Sequence, residues 1–337
     1  MKAYQLTTPN GADALQPTQL AEPKPAAGQV LVRVRATSLN YRDLMVASGR
    51  YGPGVPLPLI PLSDGAGEIA AVGDGVTRWK VGDRVTGTFF QNWPGGPLRR
   101  EVFETALGGA INGMLAEYVS LSADGVVAIP SHLNFAEGAT LPCAALTAWH
   151  ALVTGGKVSA GQTVLVLGTG GVSMFALQFA KMHGARVLIT SGSDAKLARA
   201  KTLGADEIIN YRTTPDWEKE VFRLTDKAGA DHVVEVGGTD TFPKSLRAAA
   251  LGGTISVIGG VSGFTSEVAL RDILVKSVLI RGIFVGSRDM FETMNRAISQ
   301  QQLRPVVDRA FPFSEAPAAY RYQESGAHFA KVVITVE

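Results

Sequence analysis

Val30-Leu31-Val32-Arg33-Val34-Arg35-Ala36 alternates apolar and polar residues with the period of a half-buried strand. Apolar runs at 67–73 and 81–85, separated by glycine turns, predict two more strands in the first third of the chain. Between the first strand and residue 67 fall Gly49, Gly52-Pro53-Gly54, Pro56, Pro58 and Pro61, and the prolines exclude a helix there. Residues 91–113 carry Pro94-Gly95-Gly96-Pro97 and Gly108-Gly109 and predict a long surface loop. From residue 160 onward the pattern changes to strand, glycine turn and helix, repeated. Strands are expected at Thr163–Leu167, 186–190, Glu207–Asn210, 232–236, 254–258 and 278–284. Helices are expected at 172–182 and at 194–203, the latter ended by Gly204. This alternation predicts a parallel, doubly wound sheet. The final run, 331–336, is again β-like, so the α/β domain is inserted into the β-rich one. The expected domains are 1–125 completed by 300–337, and 126–299.

Composition narrows the function classes. The 337 residues suit about two domains at roughly 150 residues each. Thirty-two basic against 30 acidic residues leave a net charge of +2, too little to hold nucleic acid or an anionic membrane by charge alone. One cysteine, Cys143, excludes an intramolecular disulfide and a multi-thiolate structural zinc site. The N-terminus lacks the apolar run of a secretory signal, and the most apolar stretch is broken by Gly168-Thr169-Gly170-Gly171. A cytoplasmic location is the expectation. The 38 glycines exceed the usual share of about 7% and gather at the ends of β-like runs.

The motif with the most chemistry in it is Val164-Leu165-Val166-Leu167-Gly168-Thr169-Gly170-Gly171-Val172-Ser173. A strand runs into a glycine turn that opens a helix, the arrangement that seats a pyrophosphate on a helix N-terminus. Gly168 permits the turn, Gly170 lets a phosphate approach, and Gly171 and Val172 open the helix; Ser173 stands where a third glycine is usual. The next strand ends in Ser191-Gly192-Ser193, followed by Lys196 and Arg199, with no carboxylate before Asp194. A ribose 2′-hydroxyl is usually met there by Asp or Glu, whereas hydroxyls and a lysine suit a 2′-phosphate. NADPH is therefore the expected cofactor; the alternative is that Lys196 and Arg199 only form the solvated face of a helix.

Several segments recur in order: Ser38-Leu39-Asn40-Tyr41-Arg42-Asp43, Pro61-Leu62-Ser63-Asp64-Gly65-Ala66-Gly67-Glu68, Gly82-Asp83-Arg84-Val85, Leu141-Pro142-Cys143-Ala144-Ala145-Leu146-Thr147-Ala148-Trp149, and the glycine turn. Together they resemble the medium-chain dehydrogenase/reductase superfamily, in particular its quinone-oxidoreductase-like, zinc-independent branch. The resemblance implies a GroES-like β domain, a Rossmann domain, an active-site cleft between them and a homodimer. It places Asn40 and Thr147 beside the nicotinamide, and Lys196 and Tyr211 on the 2′-phosphate. Gly237, Gly259 and Val285 fall at strand ends that line the cofactor in that fold. Lys331 matches the lysine of a Gly-Lys-Val motif, which the resemblance places among the cofactor contacts, with Ala330 in place of the glycine. The zinc-ligand positions of related dehydrogenases match Asn40, Ser63-Asp64 and Cys143. Catalytic zinc needs three protein ligands and an open position, which Asn40 and Ser63 serve poorly, so no metal is expected. Cys143 is then a small buried hydrophobe on a helix.

The implied reaction is hydride transfer to a quinone or an α,β-unsaturated carbonyl polarised by hydrogen bonds. Tyr51, after Ser48-Gly49-Arg50, resembles the proton-donating tyrosine of enoyl-thioester reductases; the alternative is an aromatic side chain used for packing. Phe89, Phe90 and Trp93 either line a substrate pocket or belong to the core. The rival functions are a 2-enoyl-thioester reductase, a zinc-type alcohol dehydrogenase and a non-catalytic NADPH-binding protein.

Overall fold

The computed structural model describes residues 1–52 and 54–337; Pro53, in the proline-rich turn, lies outside them. The chain forms two units, Met1–Leu146 with Val285–Glu337, and Thr147–Phe284.

The first unit is built on a seven-stranded sheet around Gln29–Ser38. That strand pairs antiparallel with Asp64–Val72, with Lys331–Thr335 and, at its start, with Tyr118–Ser122. Lys331–Thr335 lies between Gln29–Ser38 and Val307–Pro312 and is buried along nearly its whole length. Val30, Val32, Val34, Ile69, Val85 and Val332 supply the core. Two register pairs, Val333 with Ser38 and Ser38 with Asp64, gather residues from both ends of the chain at one end of the sheet. This is the GroES-like fold.

The second unit holds a six-stranded, all-parallel sheet of Thr163–Leu167, Arg186–Ser191, Glu207–Asn210, Ala230–Glu235, Ala249–Val257 and Leu279–Gly282. Numbered in chain order within this sheet, the strands run 3-2-1-4-5-6, the dinucleotide-binding order whose direction reverses between strands 1 and 4. Leu165, Leu167, Leu188, Val233 and Ile255 pack one face. Strand 1 is buried beyond its first residue, as a sheet covered on both faces requires. The helix Gly171–Met182 buries Met174, Phe175, Ala176 and Phe179. No helix among the described residues is long and apolar enough to cross a membrane.

The structure departs from the sequence pattern in three places. The unit boundaries fall at 146/147 and 284/285 rather than 125/126 and 299/300. The short strand Val126–Ala128 pairs with Arg84–Gly87, and Asn295 of the helix Arg288–Gln301 donates to the Ala128 carbonyl at 2.9 Å. These long-range bonds draw both segments into the first unit. The expected strand 81–85 is shifted to Arg84–Gly87. Residues 91–113 are not a plain surface loop: they contain the 3₁₀ turn Arg100–Thr105, and Trp93, Val102 and Ala106–Leu107 are buried. Glycine and proline mark where the chain turns but not what it packs against.

Ala330 adopts a left-handed backbone, φ 64°, where glycine has no Cβ penalty. That penalty is about 1–2 kcal/mol, and glycine's extra freedom in the unfolded chain offsets about 0.5–1 kcal/mol of it. Ala330→Gly is therefore expected to stabilise the protein by about 0.5–1 kcal/mol, seen as a higher denaturant midpoint; a lower midpoint would contradict this account.

Candidate active site

In the first unit, buried polar groups converge at the end of the sheet. The sheet places Lys331 beside the turn that follows Gln29–Ser38, where the Leu39 N–H donates to the Val332 carbonyl. Lys331, 2% exposed, donates through Nζ to the Leu39 carbonyl and to Asn40 Oδ1, both at 2.6 Å, and lies 3.8 Å from Asp64 Oδ2. Asp64 Oδ1 accepts from Ser63 Oγ at 2.7 Å, and Oδ2 accepts from the Cys143 N–H at 3.3 Å. Asn40 precedes the helix Tyr41–Ala47, and its backbone N–H donates to Asp43 Oδ2 at 2.8 Å. Its Nδ2 is buried without a hydrogen-bond partner.

Arg42 on that helix is buried as well. Its Nη1 donates to Asp43 Oδ1 at 3.2 Å and to the Leu107 carbonyl at 2.9 Å. The guanidinium carbon lies 4.6 Å from the Tyr51 ring centroid and 5.0 Å from that of Phe89. Residues 106–109, expected in a surface loop, thus help hold this cation. Burial pushes the Asp43 carboxyl up to about 6, against the opposing pull of Arg42. Burial also raises the Tyr51 hydroxyl, again opposed by Arg42, and raises the Cys143 thiol, with Asp64 adding to the effect. Phe89, Phe90 and Trp93 are buried in an edge-to-face cluster, with centroids 4.7 Å and 5.9 Å apart in successive pairs. They serve packing.

This donor set does not fit a catalytic zinc. The Asn40 oxygen is taken by an ammonium, the Ser63 hydroxyl is engaged with Asp64, and both Asp64 oxygens already accept hydrogen bonds. Among the described residues no three His, Cys, Asp or Glu side chains come together in a metal-binding group.

The second unit carries the features of a nucleotide site. Gly168 turns with φ 72° directly after strand 1, and a Cβ at Gly170 would meet open space. No side chain caps the helix that Gly171 and Val172 open. Ser173, at the usual third-glycine position, is buried and donates to the Leu167 carbonyl at 2.7 Å, so a serine tightens the turn instead. A pyrophosphate therefore has both a glycine cradle and free space above it. Ser191 is buried at the end of strand 2, and Ser193 caps the next helix by accepting from the Lys196 N–H. A Cβ at Gly192 would lie 2.8 Å from the Tyr211 hydroxyl and 2.9 Å from Arg212 Nε, so both groups gather over strand 2's end. Asp194 accepts from Asn210 Nδ2 at 2.7 Å.

Of the other expected positions, Gly237 and Gly259 lie on the loops after strands 4 and 5, and Thr147 is buried in the turn Leu146–Trp149. Val285 belongs to the first unit, buried, with φ 53°. Two residues escaped the sequence analysis. Arg212 follows Tyr211 and is readable only once strands 2 and 3 are paired. Glu235 is fully buried and accepts from the Gly237 and Gly238 N–H groups at 2.7 and 3.0 Å, from Thr241 Oγ1 at 2.6 Å and from Ser245 Oγ. It fixes the loop at the point where the strand order reverses. Its signal was a carboxylate ending an apolar strand just before Gly237-Gly238.

The comparisons with known proteins agree with this architecture. Residues 26–131 match the alcohol dehydrogenase GroES-like domain, and residues 171–300 match the zinc-binding dehydrogenase family. A zinc-type alcohol dehydrogenase-like protein of Schizosaccharomyces pombe is 46% identical over 97% of this chain and 97% of its own. The chain belongs to the medium-chain dehydrogenase/reductase superfamily. As a member of that superfamily it is an oxidoreductase with a nicotinamide cofactor. Within the superfamily, the quinone oxidoreductase of Rattus norvegicus is 30% identical, covering 95% of this chain and 93% of its own. A putative alcohol dehydrogenase from Sinorhizobium meliloti superposes with TM-score 0.93 at 42% identity over 99% and 98% of the two chains. Superfamily members differ in nucleotide. An NAD-dependent alcohol dehydrogenase superposes with TM-score 0.92 at 36% identity over the full length of both chains. A mycobacterial protein complexed with NADPH superposes with TM-score 0.84 at 26% identity, also over the full length of both.

The raised Asp43 pKa has a definite sign. Between about pH 3.9, the ordinary unfolded value, and about 6, the unfolded chain has lost a proton that the folded protein still holds. Asp43 should therefore make the unfolding free energy fall as pH rises from about 4 to about 6, with no further change above. Carbon-detected NMR should place the Asp43 midpoint near 6, and Asp43→Asn should remove this part of the stability profile; a midpoint at the ordinary carboxylate value would refute it.

Proposed function

We propose that this oxidoreductase transfers a hydride from NADPH to a quinone or another α,β-unsaturated carbonyl without zinc. The observation that carries this reading is the Asn40 amide, whose oxygen is held by Lys331 and whose Nδ2 is buried with no acceptor. A substrate carbonyl oxygen placed there gains a fixed donor where negative charge develops. The bound nicotinamide supplies the hydride. Tyr51 keeps its proton at neutral pH, as a phenol ordinarily does and burial reinforces, and it serves as a second donor or as the source of the proton that completes reduction. Conjugated acceptors suit such a site because they spread the developing charge. Alcohol oxidation needs the alcohol's pKa lowered, and this donor set offers no ligand group for a metal that would do so.

The nucleotide would sit on Gly168, Gly170, Gly171 and Val172, with Thr147, Gly237, Gly259 and Val285 contributing as the family resemblance implies. Ser191, Lys196 and Tyr211, joined by Arg212, favour the 2′-phosphate of NADPH. Asp194, which would repel that phosphate, is engaged by Asn210.

We further propose a homodimer formed through the second unit. Among the described residues Leu279–Gly282 is an edge strand paired only with Ala249–Val257, and Leu279 and Ile280 on it are exposed. The adjoining helix Leu270–Lys276 exposes Leu270, Leu274 and Val275. An open apolar edge of this kind invites pairing with a second copy.

Chelator-treated protein should bind NADPH at least tenfold more tightly than NADH in a fluorescence titration, and should reduce 1,4-benzoquinone at an undiminished rate. Arg212→Ala should weaken NADPH roughly tenfold and leave NADH unchanged. Activity lost on chelation and restored by zinc would replace this reading with a zinc-type alcohol dehydrogenase. Nucleotide binding without reduction of any quinone, enone or enoyl thioester would replace it with a non-catalytic nucleotide-binding protein. In sedimentation, the wild type should run at twice the 35.5 kDa chain mass and Ile280→Lys at the chain mass; a monomeric wild type would remove the dimer.

A further inference from the structure

We propose that Lys331 is a positioning residue that orients the Asn40 amide and provides the fixed positive charge of the site. The inference deepens the reading given above and rests on Asn40 being the donor to the substrate carbonyl. An ammonium has three protons and no lone pair, so it meets the oxygen of an amide and never its nitrogen. With Lys331 Nζ at 2.6 Å from Oδ1, the Asn40 amide has one allowed orientation, and its two N–H donors face away from the lysine. Those donors are the buried Nδ2 protons that no group in the protein accepts.

Lys331 is held as firmly as it holds. The Leu39 carbonyl takes a second of its protons, and Asp64 stands 3.8 Å away as a counter-charge. Asp64, Asn40 and Cys143 are the positions that match a metal-ligand set in related dehydrogenases. In this chain Asn40 and Asp64 flank an ammonium instead, next to a second buried pair, Arg42 with Asp43. The neighbouring backbone is strained in the same places: Ala330, immediately before Lys331, and Leu62, immediately before Ser63-Asp64, both have left-handed φ, 64° and 69°. Such conformations persist where the surroundings over-determine them, and here they aim the two charged side chains at one point.

A nucleotide contact and a positioning residue give different kinetics. If Lys331 positions Asn40, Lys331→Met should lower kcat roughly tenfold or more, with the NADPH dissociation constant within about twofold of the wild type. The loss should match that of Asn40→Ala, and the double variant should lose no more than either single one. If Lys331→Met does not fold because Asp64 is left unpaired, Lys331→Met with Asp64→Asn removes both charges and carries the same test. With selectively ¹⁵N-labelled asparagine, the Asn40 side-chain amide resonances should move on Lys331→Met. A tenfold weaker NADPH affinity with kcat retained would make Lys331 a nucleotide contact and overturn the proposal. Losses that multiply in the double variant, or an unmoved Asn40 amide, would overturn it as well. Should the wild type reduce no acceptor at all, the proposed reaction fails, while the amide resonances and the NADPH affinity still decide the role of Lys331.

Discussion

A single buried ammonium organises the polar end of the GroES-like unit. Burying a charge is costly unless partners surround it, and Lys331 is surrounded by a carbonyl, an amide oxygen and a carboxylate. Each partner is thereby fixed. The Asn40 amide takes one orientation, Asp64 has a counter-charge, and the chain near residue 39 is tied to the strand that ends the protein. Arg42 and Asp43 repeat the arrangement one helical turn away, so two cations and two carboxylates balance within one buried cluster. Removing any one of the four leaves a charge buried without its partner, the kind of loss that costs a fold several kcal/mol. The chemistry of the site and the stability of the sheet's end therefore share the same bonds.

In the Rossmann unit the constraint is the reversal of strand order. The strand order reverses between strands 1 and 4, and open space lies at Gly170 in the turn after strand 1. Glu235 accepts four hydrogen bonds from the loop after strand 4 and the helix that follows it, so that loop is fixed before any nucleotide arrives. The end of strand 2 is assembled differently. Strand 3, pairing alongside strand 2, carries Tyr211 and Arg212 to Gly192, where any larger residue would collide with both.

The superfamily relatives include proteins named for zinc-type alcohol dehydrogenases and for quinone oxidoreductases, and they share one scaffold with this chain. What varies on such a scaffold is the local donor set. In this protein the set consists of an amide, a thiol, an engaged carboxylate and a lysine.

The chain's own pattern determined the class of fold, the parallel sheet, the glycine turn and most strand positions, because hydrophobic periodicity and glycine placement are local properties. Glu207–Asn210 and Thr163–Leu167 are found where the alternation put them. The family resemblance also singled out Asn40, Tyr51, Ser63-Asp64, Cys143 and Lys331 one by one. Their arrangement was not legible. Lys331 and Asn40 are 291 positions apart, and only the pairing of Lys331–Thr335 with Gln29–Ser38 brings them together. Residues 91–113 read as an exposed loop because proline and glycine report turns, whereas the burial of Leu107 and its bond to Arg42 depend on the sheet beneath. The unit boundaries were displaced for the same reason, since Val126–Ala128 joins the first unit through a strand partner some 40 residues earlier. Local pattern fixes where the chain extends, coils and turns; tertiary pairing alone decides which buried charges meet.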